Sequence, residues 1–190
     1  VPNIIHNSGK ISGWNTVESS STILYSSNNH VKLYDNTNFY AIVYKEVVIN
    51  FNKNGSTISS TKEKCRIQKG NTSCFVTTPT ITRDNSEIVG WSLNKNDTEA
   101  DVLASEDFEV TKDTTLYAIT KKVINITFDK NGADSVSNPV KSCTCYNEEE
   151  SCSITTPTIA RNNANILGWS KNNSSKDAEL SENQTITVKK

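Results

Sequence analysis

Three tryptophans, Trp14, Trp91 and Trp169, lie 77 and 78 residues apart, and each follows a glycine: Gly13, Gly90 and Gly168. Each also stands twelve residues after a proline: Pro2, Pro79 and Pro157. Phe39-Tyr40-Ala41-Ile42 returns 77 residues on as Leu116-Tyr117-Ala118-Ile119. Ile49 to Gly55 returns as Ile126 to Gly132, and Thr77 to Ile81 as Thr155 to Ile159. Landmarks that recur in one order at one period mark tandem copies, so the unit that must fold is about 77 residues long.

The phase divides the chain. Residues 46–121 hold every landmark, residues 1–45 only the second half, and residues 122–190 all but the last strand. The expected organisation is therefore a C-terminal half-repeat, a complete repeat and a repeat without its Tyr-Ala strand. The chain reads as a piece of a longer array, with junctions near Lys45 and Lys121 that limited proteolysis should find.

Within a copy the apolar period is two. Val47, Ile49 and Phe51 alternate with Val48, Asn50 and Asn52, and Ile124, Ile126 and Phe128 repeat the pattern, as half-buried strands do. Asn54-Gly55 and Asn131-Gly132 follow, and both residue types tolerate the positive φ of a tight turn. Phe75-Val76, Ile88 to Trp91 and Leu116 to Thr120 also read as strands. The polar run from Thr80 to Glu87 has room for one helical turn, so the expected class is mostly β, with a small α+β variant allowed.

Cys65 and Cys74 are nine residues apart, as are Cys143 and Cys152, and the second pair lies 78 beyond the first. Both flank polar, loop-like runs, and a hairpin would bring their ends within disulfide reach. A bridge per copy suits a unit with a small core and an oxidising compartment. Cys145 is the odd cysteine. The repeat register favours Cys143–Cys152, with Cys145–Cys152, a free thiol or an interchain link as alternatives. A zinc site on Cys143, Cys145 and Cys152 needs a fourth ligand, and both histidines, His6 and His30, lie in another copy.

Asn, Ser and Thr make up 69 of the 190 residues, a composition that leans towards disorder. Three Trp, six Tyr and five Phe argue instead for ordered cores. Trp14, Trp91 and Trp169 are expected as core plugs rather than sugar platforms, with Phe51 and Phe128 beside them. Tyr40 and Tyr117 are placed with the core, as half-buried strand residues. The glycine before each Trp should permit close packing or a bulge.

The order Phe-Asn/Asp-Lys-Asn-Gly, Pro, Gly-Trp, Leu/Phe-Tyr-Ala resembles the Listeria–Bacteroides repeat, the B-repeat type of internalin-like bacterial surface proteins. The resemblance covers essentially the whole chain. It implies small β-grasp-like units in tandem, on the cell surface or secreted, in spacing, attachment and adhesion. Two features depart from it: Ile42-Val43 and Ile119-Thr120 stand where a Trp often follows Tyr-Ala, and the cysteine pairs are not a general family feature.

Function follows by elimination. With 20 Lys+Arg against 21 Asp+Glu, no basic field for nucleic acid exists. No apolar stretch is long enough for a membrane span. No P-loop, dinucleotide fingerprint, HExxH or Ser–His–acid motif occurs. Glu148-Glu149-Glu150 lacks the alternating oxygen ligands of an EF-hand, so no metal or other cofactor is expected. Asn71, Asn96 and Asn183 head Asn-x-Ser/Thr triplets, which this composition produces by accident. The expected function is a non-enzymatic extracellular spacer whose partners are neighbouring repeats. The alternatives are an adhesin for host glycan or protein through loops that differ between copies (66–73 against 144–151), and an assembly subunit completed by strand addition.

Overall fold

A computed structural model describes residues 9–190. Fourteen strands follow one another: β1 (Lys10–Asn15), β2 (Tyr40–Asn52), β3 (Thr57–Ile58), β4 (Lys62–Gln68), β5 (Cys74–Thr77), β6 (Ile81–Thr82) and β7 (Glu87–Ser92); then β8 (Asp107–Val110), β9 (Thr114–Thr127), β10 (Ser135–Val136), β11 (Val140–Tyr146), β12 (Ser151–Thr155), β13 (Ile159–Ala160) and β14 (Thr185–Lys189). The described chain is mostly β and contains no helix. The run from Thr80 to Glu87 instead holds β6 and a turn. Ile81 is buried, Thr82 pairs with Thr57, and Asn85 takes a φ of 52°, which a right-handed helix forbids.

The complete repeat is built on two long strands. β2 and β9 lie side by side in parallel, Ile49 opposite Thr114 through Asn52 opposite Tyr117. β4 pairs antiparallel with the outer side of β2, and β7 with the outer side of β9. This is a sheet whose first and last strands are parallel neighbours, without the helix that a β-grasp unit packs across it. Two short ribbons, β3–β6 and β5–β8, close the other side of the core. Val47, Ile49, Phe51, Val76, Ile81, Trp91, Val110, Leu116 and Ala118 meet there. β10–β13 and β12–β14 repeat the two ribbons in the third repeat, around Phe128, Ile154 and Trp169.

The expected junctions at 45/46 and 121/122 fall inside β2 and β9. Each long strand ends one repeat and begins the next with no linker between. Period two carries one face of β9 through both cores. Leu116 and Ala118 pack in the second repeat, and Ile126 packs on the third, an even number of residues away. Lys121, placed at a cleavable junction by the sequence, is paired with Glu87 on one side and Tyr146 on the other.

The Asn-Gly turns form as their residue types dictate. Asn54 and Gly55 take φ of 45° and 85°, and Asn131 and Gly132 take 44° and 86°. Ser56 N–H donates to the Lys53 carbonyl at 2.8 Å, and Ala133 N–H to the Lys130 carbonyl at 2.8 Å.

Candidate functional site: the joint between repeats

Each Gly-Trp pair anchors a chain crossing. The Trp91 backbone N–H donates to the Val102 carbonyl at 2.8 Å, and its carbonyl accepts from Asp101 and Val102. Trp169 repeats this with Leu180, and Trp14 with Tyr25. A Cβ on Gly90 would stand 2.6 Å from the Val102 carbonyl oxygen, and one on Gly168 2.2 Å from that of Leu180. β7 bulges between Ile88 and Gly90.

The twelve-residue spacing from Pro to Trp has a physical origin. The Trp91 indole N–H donates to the Pro79 carbonyl at 3.0 Å, and that of Trp169 to Pro157 at 2.9 Å. Pro2, at the same spacing from Trp14, lies outside the described residues. Trp14, Trp91 and Trp169 are all buried, and Phe51 and Phe128 meet their tryptophans edge to face. None of these indoles is an exposed platform, although Trp169 borders a groove.

Tyr40 and Tyr117 do not belong to the core. Both are half-buried, and the core positions beside Tyr117 are Leu116 and Ala118. Alternation along β9 turns Tyr117 to the opposite face of the strand.

The cysteines divide as two bonded pairs and one thiol. Cys65 is bonded to Cys74, and Cys143 to Cys152, with Cα–Cα distances of 6.0 and 5.8 Å. The bridges do not close a simple hairpin. Cys65 lies on β4 in the large sheet and Cys74 on β5 in a ribbon with β8, so the bond fastens one layer of the core to the other. Cys145 is free and fully buried. Its counterpart 78 residues earlier is Ile67, also buried, so the thiol occupies an apolar core position.

No group of three or more His, Cys, Asp or Glu side chains is placed to hold a metal among the described residues. His6 lies outside them, and His30 is exposed. The acidic run is engaged: Glu148 pairs with Lys95 at 2.8 Å, and Glu149 accepts from the Tyr146 N–H at 2.7 Å. A groove of about 790 Å³ opens beside Trp169, Ile126 and Phe128. In the second repeat Leu116 and Ala118 fill the equivalent space, and no residue of 122–190 corresponds to them.

A polar constellation lies where the second repeat meets the third, and its centre is Asn147. This residue is buried at φ 47° and continues the β11 ladder opposite Thr120. The Thr120 N–H donates to Asn147 Oδ1 at 3.0 Å, and the Asn147 N–H donates back to the Thr120 carbonyl at 2.9 Å. Asn147 Nδ2 reaches the carbonyls of Lys95 and Asp97 at 3.3 and 3.4 Å. Arg83 donates to the Asn147 carbonyl and to Thr120 Oγ1. Gly55 lies against this cluster, and a Cβ there would stand 3.0 Å from Glu148 Cγ. Its hydrogen bond from Lys95 holds the Glu148 carboxyl below the usual carboxylate range, and the same bond raises the Lys95 ammonium.

Arg83, Lys95 and Asn147 were not among the residues singled out by the sequence, and Thr120 was marked only as a strand end and as a departure from the family pattern after Tyr-Ala. Asn147 occupies the position of Lys69, so it differs between copies instead of recurring. The available signal was divergence: loop 144–151 departs from loop 66–73.

The family model described as the Listeria-Bacteroides repeat domain matches two tandem segments, residues 48–119 and 125–190. The chain belongs to the Listeria–Bacteroides repeat family. Both matched segments begin within the first strand of a repeat and include its disulfide-bonded pair and its Gly-Trp crossing. No curated protein and no solved structure matches the chain. The Listeria–Bacteroides repeats here are thus tandem β units of a structural repeat, and no helix among the described residues is long and apolar enough to cross a membrane.

Proposed function

We propose that these Listeria–Bacteroides repeats form a non-enzymatic spacer in an extracellular or surface-attached bacterial protein, supporting adhesion by holding another domain at a fixed distance. The observation that carries this reading is the continuity of β9 through the joint. A strand shared by two cores, locked by Asn147 and Arg83, removes the hinge that a loop linker would supply. In a tandem array each copy contacts mainly its neighbours, so array length sets reach. Two half-buried disulfide staples suit an oxidising compartment outside the cytoplasm.

Small-angle scattering of the full chain tests the spacer. A profile fitted by one rigid shape, unchanged between low and high salt, is the expected result. A profile that requires repeats reorienting freely contradicts it.

A second reading, an adhesin for host glycan or protein, is favoured by an open cleft of about 450 Å³ at the disulfide loop of the second repeat, lined by Arg66, Asn71 and the exposed Phe75. The equivalent loop of the third repeat is taken up by the joint, so the two loops offer different surfaces. Binding of the labelled chain to glycan and matrix-protein arrays, lost on Phe75→Ser, would support this reading. Silence from folded protein would remove it.

A further inference from the structure

Tension applied along the chain meets different geometries at different strand pairs. In β1–β2, Lys10 lies opposite Tyr44, so tension enters and leaves the pair at one end and peels it rung by rung. β9–β11 is loaded in the same way through Lys121 and Tyr146, and β12–β14 through Ser151 and Lys189. β2–β9 differs. The chain enters the second repeat through the start of β2 and leaves it through the far end of β9, and the two strands are parallel. Tension therefore pulls these neighbours in opposite directions along their length.

We propose that the parallel pairing of β2 with β9 is a force-bearing clamp, which makes the complete repeat a load-carrying element and not only a spacer. The inference rests on the spacer reading and adds a mechanical role to it. Under shear every rung from Ile49/Thr114 to Asn52/Tyr117 is loaded together, whereas peeling breaks one rung at a time. Sliding must also drag Phe51 and Leu116 past each other inside a closed core, and both are buried. β4 and β7 brace the outer sides of the two strands along seven and five paired positions. The joint passes load onward without a loop, because β9 runs unbroken into the third repeat.

Single-molecule stretching of the full chain from its two ends tests the clamp, since rupture under load reports an unfolding rate along the pulled direction. The expected trace has low-force events that release the half-repeat and residues 122–190, followed by a separate high-force event for the second repeat. The Cys65–Cys74 bond marks that event. Reduction lengthens its release by about 26 Å, from nine residues at about 3.5 Å each less the 6.0 Å already spanned. In a second geometry, handles on Lys45 and Lys112 load β2 and β9 from the same end. The rupture force of the second repeat should then fall several-fold. Equal forces in the two geometries, or an end-to-end trace without a high-force class, overturn the clamp. Scattering measures stiffness without load, so loss of the clamp would leave the spacer reading standing.

Discussion

The Trp91 indole meets the Phe51 ring edge to face, centroids 5.0 Å apart and planes inclined at 65°, while its N–H is held by the Pro79 carbonyl. One side chain thus joins β2, β7 and the segment before β6. Trp91→Ala should cost about 3–5 kcal/mol, as large-to-small core changes do. Trp91→Phe keeps most of the packing but leaves the Pro79 carbonyl without its donor, a loss of about 1–3 kcal/mol. Denaturant titration followed by circular dichroism checks both values and their order.

Gly90 and Gly70 make a matched pair, since both have positive φ, at 141° and 91°. At Gly90 a Cβ would strike the Val102 carbonyl and the Ala100 Cβ, whereas at Gly70 it would meet nothing within 4 Å. Gly70→Ala should therefore carry only the backbone strain of about 1–3 kcal/mol, and Gly90→Ala clearly more. Thermal melts of the two variants decide it, and equal losses would contradict the close crossing.

The cysteines predict a redox and labelling pattern. Replacing Cys65 and Cys74 together by Ser should cost about 2–3 kcal/mol, the value expected for so short a closed loop. In the native state Cys145 should resist alkylation because it is fully buried. Mass spectrometry after iodoacetamide treatment should find one labelled thiol in denaturant without reductant, and none in native buffer.

How much of this was legible in the sequence depended on what repeats. Phe51, Trp91, Pro79 and the cysteine pairs recur, so period and spacing exposed them. The joint was hidden for the converse reason: Asn147 replaces Lys69, and only the folded chain brings Arg83, Lys95 and Thr120 to it. Tyr117 was misplaced because recurrence does not say which face of a strand a residue occupies. The continuity of β9 was missed because Lys121-Lys122 looks like a polar break, yet both residues are paired within the sheet.

Stability should fall at both ends of the pH scale. The hydrogen bond from Lys64, then that from Lys10, holds the Glu46 carboxyl low, and Lys95 does the same for Glu148. A lowered carboxylate stabilises the fold above its unfolded value, about 4.3, and loses that contribution as pH falls through the folded value. Lys121, raised by the hydrogen bond from Glu87, and Lys95 contribute in full below about 10.4 and lose it as pH rises through their raised values. The melting temperature should be flat from about pH 6 to 9. Glu46→Gln with Glu148→Gln should flatten the acid limb, and added salt should shrink the effect, more at the exposed Glu148 than at the half-buried Glu46. An unchanged acid limb would contradict the assignment.

Amide exchange at the joint tests the shared strand most directly. The Thr120 N–H donates to the side chain of Asn147, a residue of the next repeat. NMR-detected exchange should find Thr120 as slow as the sheet-paired amides of the second repeat. Asn147→Ala should accelerate it and cost about 1–3 kcal/mol, the usual range for orphaned buried polar groups. Fast exchange at Thr120 in the unaltered chain, with slow amides on both sides, would mean that a hinge separates the repeats and would contradict the account.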